Sequence, residues 1–255
     1  MRPRSSCTNI FGHVMELAGT NALVTGGAVR LGRALVELLA DEGCGVAVHH
    51  HTSESEARTL VASLERRGLP AVALRADLAD AAAATDLVPA ARDALGSVEI
   101  LINNAAVFPP GEFLDTGVES WDRQMAIDLR APFLLSQSFV AGLAGTGQIL
   151  NVTDRRVRRP ATDHFAYRLA KSAVAEMTRM LARELAPRVR VNAVALGALL
   201  APPGEDAEAF RERVRSTVPL GAPGGPRALV HAARFLLTAP FQTGVVLPVD
   251  GGEYL

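Results

Sequence analysis

A chain of 255 residues, 49% hydrophobic and 21% charged, carries enough material for one large core or two small ones. A formal net charge of −1 gives no overall reason to expect nucleic acid or an anionic membrane as partner. Two cysteines, Cys7 and Cys44, are too few for a disulfide framework and fit a reducing cytoplasm, and no apolar run is long enough to span a membrane.

Residues 1–18 include Arg2 and Arg4 but no continuous apolar stretch, so a disordered extension is expected rather than a signal peptide. Residues 19–255 are expected to form a single domain. Asn21 to Thr25 reads as a strand, followed by a glycine-containing turn, Gly26 to Gly32, and a helix ending near Gly43. Strand, glycine turn and helix in that order suit a nucleotide phosphate, because glycine admits close backbone approach and a helix start offers free N–H groups. The spacing departs from G-x-G-x-x-G, so that fingerprint does not apply.

The second strand, Gly45 to His49, runs into His50-His51-Thr52-Ser53. A carboxylate at this tip would take the ribose 2′-OH of NAD. Hydroxyls and imidazoles suit the additional phosphate of NADP better. Glu54 follows, where the helix dipole explains an acidic residue. Three successive histidines alternate faces on a strand, with no carboxylate or thiol beside them to complete a shell, and no metal site is expected.

The alternation continues through a helix over 55–66, a strand over 71–75, Asp77, and a helix ending at Leu95. A strand over 98–102 leads into the loop Asn103-Asn104-Ala105-Ala106-Val107-Phe108. One long helix is expected from Val118 to Leu143, with Pro132 as a candidate kink. A strand over 148–152 precedes Thr153-Asp154 and a basic run. The next helix holds Tyr167 and Lys171, and strand 189–194 follows. A Pro/Gly-rich stretch, Gly197 to Gly225, encloses a short helix over 207–216, before a last helix and a strand over 244–249. Regular alternation without a linker predicts an α/β fold: one doubly wound, Rossmann-like sheet of seven mainly parallel strands with helices on both faces. Ligands of such sheets lie beyond the carboxyl ends of the strands.

Tyr167 and Lys171, four apart, share one helix face. A phenol titrates near about 10, and an ammonium close by favours its phenolate. Taken alone, the pair is equally a solvated helix surface.

The combined pattern resembles the short-chain dehydrogenase/reductase family: the Thr25-Gly26 turn, Asp77-Leu78, Asn103-Asn104-Ala105, Tyr167-x-x-x-Lys171, Arg190-Val191-Asn192 and Val249-Asp250-Gly251-Gly252. The resemblance implies Tyr167 as acid–base. It implies Lys171 as the group that lowers the tyrosine pKa and holds the nicotinamide ribose, and an Asn104 loop that shapes the cofactor site. The family's middle turn glycine is Arg30 here, the serine thirteen residues before the tyrosine is Asp154, and Asn-Asn-Ala continues into Ala106-Val107-Phe108. These changes, with His49-x-His51-x-Ser53, resemble the pteridine reductase branch. That likeness implies NADP(H) held by Thr25, Gly26, Arg30, Leu31, Gly32, His49, His51, Thr52, Ser53, Asp77, Leu78, Asn104, Ala105 and Lys171. It implies a pterin-like substrate met by Phe108, Arg30, Asp154 and Tyr167, with Tyr167, Lys171 and Asp154 catalytic.

Three residues depart from that branch or from the wider family: Thr52 for an arginine, Asp128 for an asparagine, and Leu196 for a proline. A homotetramer is implied, with the helices flanking the fifth strand at the interface and Tyr254 and Leu255 reaching a neighbour. The basic run Arg155, Arg156, Arg158 and Arg159 reads either as an attractor for an anionic substrate tail or as an exposed or subunit-contact loop. Ala198, Leu199, Leu200, Ala201, Pro202 and Pro203 give the Gly197–Gly225 stretch an apolar lining that suits a lid. The alternatives on this scaffold are a carbonyl or 3-oxoacyl reductase and an NADP-binding sensor with little catalysis.

Overall fold

The computed structural model describes residues 16–158, 161–202 and 204–255, with the side chain of Arg158 also outside the description. The apolar runs become strands because both of their faces are covered, which removes the polar alternation of a half-exposed sheet. In chain order they are β1 (Asn21–Val24), β2 (Gly45–His50), β3 (Ala71–Arg75), β4 (Ile100–Asn103), β5 (Gly147–Asp154), β6 (Val189–Leu196) and β7 (Val246–Val249). They form one sheet in the order β3-β2-β1-β4-β5-β6-β7, and each neighbouring pair is parallel. The order reverses between β1 and β4, which opens the crevice where such sheets bind ligands.

The helices are α1 (Arg30–Asp41), α2 (Glu54–Arg66), α3 (Ala81–Leu95), α4 (Val118–Met125), α5 (Ala131–Ala141), α6 (Phe165–Leu185), α7 (Ala207–Thr217) and α8 (Gly225–Thr238). Alternate residues of β1 divide the core: Ala22 and Val24 pack with α1, α2 and α8, while Leu23 packs with α3, α5 and α6. On α1 the buried positions Leu35, Val36, Leu38 and Leu39 form one helical stripe against the sheet. Asp80 caps α3 by accepting the Ala82 N–H, and Asp206 caps α7 by accepting from Glu208 and Ala209.

Two expectations are refined. The helix expected over 118–143 runs through α4, a π turn (Ala126–Arg130) and α5, with helical backbone at both junctions. The π turn precedes Pro132, which sits in the first turn of α5 where its missing N–H costs nothing. The core also begins earlier than residue 19: Leu17 is buried, and its carbonyl accepts from Thr20 Oγ1 and Cys44 Sγ. Residues 1–15 of the expected extension lie outside the described residues. Among the described residues, no helix is long and apolar enough to cross a membrane, and no group of three or more metal-ligating side chains converges.

A buried polar chain ties the sheet to the helices below the crevice. Asn151 Oδ1 accepts from Asn103 Nδ2 at 2.8 Å, and Asn151 Nδ2 donates to Thr178 Oγ1 on α6 at 2.9 Å. Asn103 Nδ2 also reaches Ser136 on α5 at 3.4 Å. These paired amides fix register, although Asn103 Oδ1 is buried without a hydrogen-bond partner.

Candidate active site

The turn between β1 and α1 is built for close approach. Gly26 has φ +61°, and a Cβ on Gly32 would stand 1.9 Å from Gly26 O, so both positions require glycine. No side chain caps α1 at Val29, which leaves its first-turn N–H groups facing the crevice for a ligand. Arg30 occupies the left-handed region, φ +53°, where the family has glycine, and its Nη2 donates to Ala201 O at 2.7 Å.

Around this turn lies a cavity of about 400 Å³, lined by Gly26 and Ala28–Gly32, His49–Ser53, Asp77, Leu78, Asn104–Val107, Arg123 and Ile127. Nearly all the residues expected to hold the cofactor thus converge. Thr25 stands just beneath: its buried hydroxyl accepts the N–H groups of Asn104 and Ala105, at 2.9 and 3.0 Å. Asn104 Nδ2 donates back to Thr25 O and Gly26 O. These two residues shape the floor rather than project into it.

His49 is also spent within the chain. Its Nδ1 accepts the Gly26 N–H at 3.0 Å, and Nε2 lies 3.2 Å from Ala76 O, which fixes the proton on Nε2. Burial depresses its pKa from 6.5 to about 4. The groups left to face a phosphate at this tip are Thr52, Ser53 and His51, whose Nε2 stands 3.8 Å from Asp77 Oδ2.

Opposite the turn, α6 carries the expected acid–base pair. Tyr167 is buried, and its hydroxyl donates to Asp154 Oδ2 at 3.1 Å. Lys171, 3% exposed, donates to Val152 O at 3.2 Å and stands 3.1 Å from Asp128 Oδ1. Burial raises the Tyr167 pKa well above 10, and Asp154 and then Asp128 add to the rise. The Lys171 charge is answered by Asp128 instead of being left for the phenol.

Phe108 stands edge-on to Tyr167, ring centroids 4.7 Å apart, and stacks on His164 at 3.7 Å. The Arg156 guanidinium lies 5.2 Å over the same ring. His164 opens α6 in a left-handed conformation, φ +51°, and its Nδ1 pairs with Pro109 O at 2.8 Å. The sequence reading missed His164, Gln124, Arg123 and Glu253. His164, three residues before Tyr167, shares its helix face, which was the signal available.

The basic run and the lid both turn out to be tied down. Arg155 pairs with Glu253 near the C-terminus, and Arg156 with Asp154 at 3.1 Å. The substrate-tail reading therefore loses these two charges to internal carboxylates, while the Arg158 side chain and Arg159 lie outside the described residues. In the Gly197–Gly225 segment, Ala198 and Ala201 pack on Phe210, Val214 and Val218 of and beside α7, and Leu199 is buried. These side chains form the segment's own small core, so they do not all line a substrate space. Pro203 lies outside the described residues.

The family model described as enoyl-(acyl carrier protein) reductase matches residues 27–253. The chain belongs to the short-chain dehydrogenase/reductase family. Within that family it is 33% identical, over 93% of its length and 97% of the relative's, to 2,5-dichloro-2,5-cyclohexadiene-1,4-diol dehydrogenase LinX of Sphingobium indicum. L-xylulose reductase of Bos taurus is also 33% identical, covering 93% of this chain and 98% of that one. Among solved structures, FolM alternative dihydrofolate reductase 1 from Brucella canis, complexed with NADP, superimposes with a TM-score of 0.89. It is 33% identical over 94% of this chain and 95% of that one. A short-chain dehydrogenase from Burkholderia cenocepacia, also with NADP, gives a TM-score of 0.88 at 30% identity, covering 94% and 100%.

Proposed function

We propose that the chain is an NADPH-dependent reductase of a C=N bond in a pterin-like ring. The observation that carries this reading is the Tyr167 hydroxyl donating to Asp154 beside the Phe108 ring. NADP(H) is the cofactor, as in the FolM and Burkholderia relatives. Its diphosphate suits the Gly26–Gly32 turn and the start of α1, and its extra phosphate the Thr52–Ser53 tip. When bound, it supplies hydride to the ring carbon.

The protein's own groups do the rest. Phe108 offers an apolar face to a flat heteroaromatic ring, a contact of about 0.5–1.5 kcal/mol beyond burial. Asp154 accepts from ring N–H or amino donors, which a serine hydroxyl matches less well. Tyr167, its proton held firmly, delivers it to the ring nitrogen as the adjoining carbon is reduced. Lys171 retains one N–H for a ribose hydroxyl beyond its bonds to Val152 and Asp128.

A second reading, carbonyl or diol–ketone chemistry, is favoured by the diol dehydrogenase and xylulose reductase relatives, which match at the same 33% identity. The deciding experiment is NADPH oxidation with dihydrobiopterin, dihydrofolate and a panel of ketones. Turnover of pterins is expected; turnover of ketones alone refutes the pterin reading. The reading also includes a homotetramer joined through the α4, α5 and α6 faces, where Phe133, Leu169 and Met180 are exposed, and a reducing cytoplasm as its setting.

A further inference from the structure

Asp128 is a fully buried carboxylate in the π turn between α4 and α5, and the chemistry above gives it no task. Its Oδ1 stands 3.1 Å from Lys171 Nζ. Its Oδ2 accepts the Val107 N–H at 3.1 Å and also the Gln124 side-chain amide. Gln124 donates as well to Val107 O at 3.1 Å. Both backbone polar atoms of the residue before Phe108 are thus held by Asp128 and Gln124, one helical turn apart.

An ammonium near a phenol ordinarily stabilises the phenolate. Here a carboxylate lies 3.1 Å from the ammonium, while the phenol ring centroid is 5.7 Å away. The carboxylate is thus a direct ion-pair partner of the ammonium.

We propose that Asp128 is a positioning residue that absorbs the Lys171 charge and fixes the Phe108 loop, so that Tyr167 stays in its proton-donating form. The inference deepens the reductase reading and rests on it. Among the described residues, the groups facing Tyr167 are Asp154 and Arg156 from the end of β5, Asp128 from the π turn, and Lys171 from its own helix. His164 lies stacked on Phe108. With Asp128 neutral, the ammonium is left to pair with the phenolate, and the tyrosine gives up its proton at lower pH. Tyr167 still meets Asp154 and Arg156 in that case, and the change removes both the Asp128 pairing with Lys171 and the direct repulsion between Asp128 and the phenolate.

The chain has two tyrosines, so Tyr254→Phe leaves Tyr167 as its one phenol. Alkaline ultraviolet titration then reads its ionisation without substrate or turnover. In that background Asp128→Asn is expected to lower the ionisation by about one pH unit or more, and the alkaline limb of reductase activity moves with it. Gln124→Ala keeps the carboxylate but frees Val107. It is expected to raise KM for the ring substrate about threefold or more while leaving the ionisation in place. If Asp128→Asn fails to fold by circular dichroism, Asp128→Ser carries the same titration. Parental ionisation in a folded Asp128 variant, or an equal movement in Gln124→Ala, overturns the proposal. Because the titration needs no turnover, a chain that reduces no pterin still answers it.

Discussion

His49 makes the stability of this fold fall in mild acid. In the folded chain its Nδ1 accepts from Gly26 and its Nε2–H donates to Ala76 O, an arrangement open only to the neutral ring. Burial lowers the pKa to about 4 from 6.5, with the neighbouring His50 and His51 adding to the fall, and a protonated ring would also turn a second donor toward the Gly26 N–H. The folded state therefore binds fewer protons than the unfolded state between those limits, and stability rises with pH across them. The contribution is fully present above about pH 6.5 and is lost as pH falls through about 4. At about 1.4 kcal/mol per pH unit, the interval integrates to roughly 3 kcal/mol. His49→Gln supplies the perturbation, since its amide presents an acceptor to Gly26 and a donor to Ala76 without a titrating proton. Urea unfolding of parent and variant over this interval is the assay. The parent is expected to lose roughly 3 kcal/mol more than the variant between about pH 6.5 and 4. Parallel stability curves would refute the assignment of the neutral tautomer and the bonds built on it.

Three other expectations follow from the site and its support. Tyr167→Phe should lower kcat by about 10²- to 10⁴-fold while NADPH affinity, read by fluorescence titration, stays nearly unchanged; retained turnover would place the acid elsewhere. Asp154→Ser restores the residue usual in the wider family and should cost pterin kcat/KM about tenfold to a hundredfold, the worth of a charge-assisted bond. Ketone turnover should fall less, and equal losses on both substrates would deny Asp154 a role in ring recognition. Asn151→Ala removes two buried bonds and leaves Asn103 with Ser136 and Thr178 with Val174 O, so denaturant unfolding should show a loss of about 2–4 kcal/mol. A loss under about 1 kcal/mol would mean that water or neighbours replace the amide.

Much of the site was legible because the chemistry sits at strand ends. The strand–turn–helix order around Gly26 and the tip after His49 mark residues that line the cavity. Tyr167, Asp154 and Phe108 were read from three separate segments and meet within contact distance. What could not be read was how charges pair once buried. Lys171 lies on the Tyr167 face of α6, and spacing alone makes it the tyrosine's partner. Asp128 was visible as a departure from asparagine at a place beside Lys171, and packing of the π turn sets its distance at 3.1 Å. The same holds for Arg155, whose partner Glu253 lies almost a hundred residues away at the other end of the chain. The π turn at Ala126–Arg130 was not legible either, since a π turn leaves no compositional mark while Pro132 does.

Among the described residues, the backbone takes a left-handed conformation at two non-glycine positions, Arg30 and His164. Each opens a helix at the site, α1 at the phosphate turn and α6 before Tyr167. Each costs about 1 kcal/mol or more that a glycine would avoid. The side chains show what offsets that cost. Arg30 reaches Ala201 O across the mouth of the crevice, and His164 joins Phe108 to Pro109 O. Glycine at either place would relieve the turn but remove a bond between two segments that frame the substrate space. The strain is thus localised where loop 105–111 and the segment after β6 are tied to the helices that open at the site. The departure from glycine at Arg30 was visible in the sequence, and its backbone still takes the left-handed conformation that glycine favours, with a cationic side chain added to it.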